Sequence, residues 1–227
     1  MIAEEYILID KVYGNYLSFE EMIVPILKSY KSVSEINVLE IGCGTGITTE
    51  ILLKSRKNIN LTTIDIDKDI IEHASRSLSS YINANFIVSD ALSFVEKQES
   101  NSLDLIVSAF TIHNLTNEYR QRLYKEIYRI IKAGGLFINA DKFVSDNKEE
   151  QIAGLKYRIG TYIDALLREN KLNLLKEWAV HYIEDHHPDV LLKFDKTIED
   201  LEAVGFKNSE YLFKSEKEML GLLRTGK

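Results

Sequence analysis

The 227-residue sequence predicts a doubly wound α/β fold around a mostly parallel sheet. Two observations carry that expectation: short β-branched apolar runs alternate with helical segments, and the first run leads straight into a glycine-rich turn. Strands of a parallel sheet covered on both faces read as near-continuous apolar runs. The composition, 45% hydrophobic and 28% charged, is that of a globular chain with room for one substantial core. With 28 basic against 35 acidic residues the net charge is −7, and no basic track of the kind that neutralises phosphates is visible.

Residues 1–35 open the chain with Tyr6, Tyr13, Tyr16 and Phe19, then place Met22, Ile26, Leu27 and Tyr30 at helical spacing; this segment is expected to cap the core as a helical lid. From residue 36 to 145 the runs Val38–Ile41, Leu61–Ile66, Asn85–Ser89, Leu105–Phe110 and Leu136–Ala140 read as strands. The helices expected between them are Thr48–Lys54, Asp69–Ser80, Ala91–Glu96 and Glu118–Ile131. Over residues 146–195 the alternation stops. Ile152, Leu155, Ile159, Tyr162, Ile163 and Leu166 share one helical face, and Leu172, Leu175, Trp178, Ala179 and Tyr182 share another, so a helical unit is expected after strand five. Residues 196–227 return to the sheet through a helix from Thr197 to Val204, Gly205 at its end, and the strand-like runs Asn208–Phe213 and Met219–Leu223. Those two runs bring the expected sheet to seven strands.

Met1–Glu5 lacks a basic-then-apolar leader, and the longest weakly polar run, Leu105–Ile112, is far short of the roughly 18 residues a membrane helix needs. A cytoplasmic protein without membrane contact is expected. Cys43 is the one cysteine and offers neither an internal disulfide nor a metal framework. Adjacent His186 and His187 tend to point apart, so no metal site is expected there.

The sharpest chemical signal is Val38-Leu-Glu-Ile-Gly-Cys-Gly-Thr-Gly-Ile47. Glycine turns after the first strand of such a sheet open a crevice beside helix amides, where nucleotides bind; the plain alternative is a merely tight turn. The third glycine comes one residue too early for a dinucleotide fingerprint. Glu40 beside the turn would repel a pyrophosphate and suit a ligand with a cationic end.

These residues resemble the first motif of the class I S-adenosylmethionine-dependent methyltransferases, and the resemblance extends over residues 37 to 141. It implies a Rossmann-like methyltransferase fold with S-adenosyl-L-methionine as cofactor. It further implies that Glu40, Gly42, Gly44 and Gly46 form the cofactor turn, and that Asp65, with Ile66 beside it, takes the ribose hydroxyls. Asp90 and Ala91 are expected at the adenine, and Ser108 and Ala109 at the methionine portion. Each acid also has a plainer reading as a helix cap or solvated turn residue. Ala133 replaces the proline usual in the family's turn before strand five.

Methyl transfer to a hydroxyl or thiol gains from a general base. His113, in the loop after the fourth strand, is the candidate, with a role in capping the next helix as the alternative. Asn114, Tyr13, Tyr16, Tyr157 and Trp178 are the candidate substrate residues, although aromatics at helical spacing also serve as core. The expected partner is a small-molecule acceptor, with no direct nucleic-acid contact and room for a homodimer. Two other functions stay open: a carboxy-S-adenosylmethionine synthase-like enzyme of tRNA wobble modification, whose layout the chain resembles more loosely, and a non-catalytic S-adenosylmethionine-binding protein.

Overall fold

A computed structural model describes residues 16–30, 34–215 and 217–227, without the side chains of Tyr16 and Leu17. Seven strands form one sheet in the order β3-β2-β1-β4-β5-β7-β6. In chain order they are β1 (Ile36–Ile41), β2 (Ile59–Asp65), β3 (Ala84–Val88), β4 (Leu103–Ala109), β5 (Ile131–Lys142), β6 (Lys207–Ser215) and β7 (Leu220–Gly226). The first five pair in parallel, and β7 runs antiparallel to both β5 and β6. Because β2 and β4 both flank β1, the chain reverses its direction of travel across the sheet there, and an open α/β sheet leaves a crevice at that point.

Strand alternation sorts the core into two layers. Leu39 and Ile41 face one side, with Phe137 and residues of α5 (Ala91–Val95), α6 (Asn117–Ile130) and α9 (Phe194–Val204). Ile36 and Val38 face the other, with α1 (Tyr16–Glu20), α2 (Ile23–Ser29) and α3 (Ile47–Ser55). Helix α4 (Lys68–Ser77) follows β2 and is capped by the Asp67 carboxylate, which accepts from the Asp69 and Ile70 amides. Gly205, at φ +120°, ends α9, where the sequence places it.

The expected helical unit is α7 (Lys148–Arg168) and α8 (Leu175–Glu184), joined through a short 3₁₀ turn at Leu172–Leu174. It has its own small core: Trp178 stacks on Tyr162 at 3.9 Å and on Tyr182 at 4.8 Å. The buried stripe of α7 differs from the expected one. Ile152 is exposed, while Gly154, Arg158 and Tyr162 are buried, so a charged residue occupies the inner face. Strand β5 also exceeds expectation. It runs on through Asp141 and Lys142 because β7 pairs with it that far.

Candidate active site

A cavity of about 500 Å³ opens at the carboxyl ends of the central strands, beside the switch from β1 to β4. One end is formed by the loop between β1 and α3. Gly42, Gly44 and Gly46 all adopt positive φ, at 77°, 51° and 92°, a region that costs other residues about 1–2 kcal/mol. A Cβ on Gly42 would stand 2.0 Å from Thr111 Oγ1, so glycine is required where the loop crosses the segment after β4. Around Gly44 the same atom would meet nothing, because that position faces open cavity. Gly46 brings α3 close to α4, with Ala74 and Leu78 within 3.3 Å of where its Cβ would be.

The loop is braced from β2. Asp65 Oδ2 accepts from the Gly44 amide at 3.0 Å and Oδ1 from the Asp67 amide at 3.0 Å. Each oxygen keeps a second lone pair for a ligand hydroxyl. Ile66, 73% exposed, supplies a bare apolar face on the cavity wall beside it.

The other end is built around His113, in a 3₁₀ turn after β4. The ring Nδ1 lies 2.6 Å from Asp141 Oδ1, and the His113 amide donates to Asp141 Oδ2 at 3.2 Å. An ionised carboxylate only accepts, so Nδ1 carries a proton, and Nε2 is the ring nitrogen left without a hydrogen bond to the protein. Among the described residues Nε2 has no hydrogen-bond partner, and His113 lines the cavity. Asp185 Oδ2 is 3.7 Å from Nε2 and 3.0 Å from the Lys142 ammonium. Burial alone would raise the Asp185 carboxyl, but facing Lys142, His113 and His181 it is held below its ordinary value. Burial holds His181 below the ordinary imidazole value, against the pull of Asp185.

Of the sequence-derived candidates, Gly42, Gly44, Asp65, Ile66, Ala109, His113, Asn114 and Trp178 meet on the cavity wall. Others lie elsewhere. Glu40 is fully buried beneath the loop, where Oε2 accepts from the Thr49 and Thr63 hydroxyls at 2.6 and 2.8 Å. Burial, opposed by those hydroxyls, pushes its carboxyl up to about 7. Asp90 caps α5, bonded to the Ser93 amide at 2.9 Å and the Tyr119 hydroxyl at 2.6 Å, and with Ala91 it stands off the wall. Ser108 points to the opposite face and bonds the Ile41 carbonyl, since strand residues alternate and Ala109 takes the cavity side. Tyr157 is half-exposed beneath the Lys217 ammonium, away from the cavity. Tyr13 and the Tyr16 side chain fall outside the described residues.

Sequence reasoning missed Asp141, Lys142, Asp185 and Arg158. One signal was present, polar residues at the carboxyl end of a strand, and it named no partner.

Residues 38–135 match the sequence model of a methyltransferase domain. That span contains the glycine loop, Asp65 and His113. Over that span the chain carries a methyltransferase domain, and its motifs are those of the class I S-adenosylmethionine-dependent enzymes. The carboxy-S-adenosyl-L-methionine synthase of Campylobacter fetus is 24% identical over 86% of this chain and 79% of its own length. A malonyl-[acyl-carrier protein] O-methyltransferase of Ilyobacter polytropus is 34% identical over 56% of this chain, which spans 48% of that relative. A methyltransferase structure from Archaeoglobus fulgidus shares the fold at a TM-score of 0.67 and 15% identity, covering 98% of this chain and 99% of its own. The methyltransferase domain uses S-adenosyl-L-methionine, and the residues fit it. A cationic ligand suits the acidic end formed by Glu20, Asp65 and Asp67, and the open space at Gly44 admits close backbone approach. No helix among the described residues is long and apolar enough to cross a membrane.

Proposed function

We propose that this methyltransferase acts on a hydroxyl group of a small-molecule acceptor, with His113 as general base and Asp141 as the residue that positions it. One observation supports this above the others: a histidine on the cavity wall has its Nδ1 held by a buried carboxylate and its Nε2 without a hydrogen-bond partner among the described residues. Bound S-adenosylmethionine supplies a methyl carbon already made electrophilic by its sulfonium. The chain then has to hold the acceptor oxygen in line, exclude water and accept one proton. Asp65 would hold the ribose, Ile66 would pack on the adenine and Ala109 would border the methionine end. His113 Nε2 would take the acceptor proton, and Asp141 and Asp185 would stabilise the imidazolium.

Transfer of a labelled methyl group to a panel of hydroxylated metabolites tests the proposal. On an accepted substrate, His113→Gln should lower turnover by about 10²–10⁴-fold and leave cofactor affinity within threefold. A small loss of turnover would remove the base and point to an amine or carbanion acceptor. A large loss of cofactor affinity would make His113 part of the cofactor pocket.

The helical unit, together with the segment before β1, would serve as the lid over this site, since Trp178, His181 and Tyr182 reach the cavity from α8. Hydrogen exchange should slow in both segments when cofactor and acceptor are bound; protection confined to the glycine loop would end the lid assignment. A second reading, synthesis of a carboxylated S-adenosylmethionine, has in its favour the broad coverage of the Campylobacter relative. In that case the purified protein would produce a carboxylated cofactor and methylate none of the panel.

A further inference from the structure

The turn that carries His113 is held from outside by a buried cation. Arg120, in the first turn of α6, is only 4% exposed. One of its terminal guanidinium nitrogens donates to the carbonyls of Ile112, Leu115 and Val190 at 3.4, 2.6 and 2.8 Å. The other donates to the Leu191 carbonyl at 2.9 Å and to the Asn117 amide oxygen. Ile112 and Leu115 bracket His113, whereas Val190 and Leu191 belong to the segment that returns from the helical unit to α9. Asn117 adds two bonds to the same segment: its main-chain amide donates to the Asp189 carbonyl at 2.7 Å and its side chain to the Pro188 carbonyl at 3.3 Å. Keeping a guanidinium out of water is costly unless fixed oxygens take the place of the water. Here they are neutral, four main-chain carbonyls and one side-chain amide, drawn from two segments some distance apart in the chain.

We propose that Arg120 is a positioning residue for the base: it fixes the turn carrying His113 against the segment that returns from the helical unit, so that His113 and the helical unit keep one relation to each other. The inference rests on the reading of His113 as general base and adds the residue that sets its place. The turn has little to hold it from within. It is a single 3₁₀ turn, in which the Asn114 amide donates to the Thr111 carbonyl at 3.1 Å and the Leu115 amide to the Ile112 carbonyl at 3.2 Å. Asp141 fixes the His113 ring and amide from β5, and Arg120 fixes the two ends of the turn from α6. A guanidinium presents its donors in one rigid plane, so it can hold carbonyls of two segments at a set spacing, which an ammonium on a flexible stem does poorly. A base needs that fixity, because displacing a reacting group by about 1 Å can cost about a hundredfold in rate.

Two measurements on the full chain test this. The first is NMR of protein with isotope-labelled histidine, saturated with S-adenosylhomocysteine. The Nδ1 proton of His113, held in its 2.6 Å contact with Asp141, gives a resonance identified by its loss in His113→Gln. Arg120→Lys should displace or broaden that resonance while S-adenosylhomocysteine affinity stays within about threefold. The second is turnover on an acceptor supplied by the labelled-methyl panel. Arg120→Lys should lower it by about tenfold or more, yet by less than about twofold in a His113→Gln background, because a residue that acts through His113 has nothing to act on once the base is gone. A merely structural role would cost the same in both. Asn117→Ala, at an exposed position, should show the same pattern with a loss of about threefold, and it is read by the same rules if Arg120→Lys does not fold. An unmoved resonance in the folded variant overturns the proposal. So does, where His113→Gln has itself slowed turnover, either a wild-type rate in Arg120→Lys or an equal loss in both backgrounds. If His113→Gln turns over like the wild type, the base reading falls, and the resonance alone decides whether Arg120 positions the ring.

Discussion

The two ends of the cavity are built from different materials. At the cofactor end the main chain does most of the shaping: three glycines at positive φ, an amide held by Asp65 and the start of α3. At the acceptor end side chains do it, brought together from positions 113, 142, 158, 178 and 181, which lie in four separate elements. A surface made of backbone can change only by changing the fold, whereas one made of side chains can be rebuilt residue by residue. The cofactor end therefore belongs to the family, and the acceptor end to this protein.

Glycine substitutions should break the cofactor end in two distinguishable ways, and these are the largest effects expected. At Gly42 an alanine Cβ would overlap Thr111 and occupy a strained φ, so Gly42→Ala should cost about 2–4 kcal/mol of stability in urea unfolding. At Gly44 there is open space, so Gly44→Ala should cost only about 1 kcal/mol in unfolding. It should still weaken S-adenosylmethionine binding in calorimetry by tenfold or more, because the methyl would stand where the ligand approaches. Equal stability losses at both positions would mean that strain, not the Thr111 overlap, governs the loop.

The same contrast explains what was legible in the sequence. Positive φ is written into residue type, so Gly42, Gly44 and Gly46 announce the turn, and the acid at the end of the next strand follows by position. Asp141 could not be recognised because its partner is 28 residues away and the pairing depends on β5 extending past Ala140. Arg158 was hidden for another reason. A helix with apolar residues on more than one side does not declare which face it will bury, and here packing chose Gly154, Arg158 and Tyr162 over Ile152. Ser108 and Ala109 show the limit of motif reading: the strand was placed correctly, but alternation sends only one of them to the cavity.

Asp65 is a side chain on which the backbone-built end depends directly, and its loss sharpens the comparison. Asp65→Ala removes the acceptor for the Gly44 amide as well as the proposed ribose ligand, and should weaken S-adenosylmethionine binding by about 1–3 kcal/mol in calorimetry. Asp65→Asn retains an acceptor oxygen and should lose less. If Asp65→Ala binds normally while remaining folded, the loop holds its shape without a brace and the ribose assignment fails.

The smallest effect concerns Glu40, a side chain buried under the backbone-built end. Its carboxyl is pushed up from the ordinary 4.5 to about 7, chiefly by burial, against the donors Thr49 and Thr63 and with a further upward push from the Asp65 charge. Because the folded value exceeds the unfolded one, the folded state holds this proton more tightly. The resulting stability is fully present below about 4.5 and is lost as pH rises through about 7. Glu40→Gln cannot ionise, so between pH 5 and pH 8 the unfolding free energy should shift in favour of the variant by roughly 1–2 kcal/mol, with relaxation around the charge keeping the change modest. The offset at low pH reports only the packing of the amide and drops out of the comparison. Saturating S-adenosylmethionine should flatten the difference, since a cationic ligand above the loop favours the ionised carboxylate. A pH-independent difference between the two proteins would show that Glu40 is ionised in the folded state across this range, as it is in the unfolded chain. Its charge would then add to the acidic character that Glu20, Asp65 and Asp67 give the cofactor end.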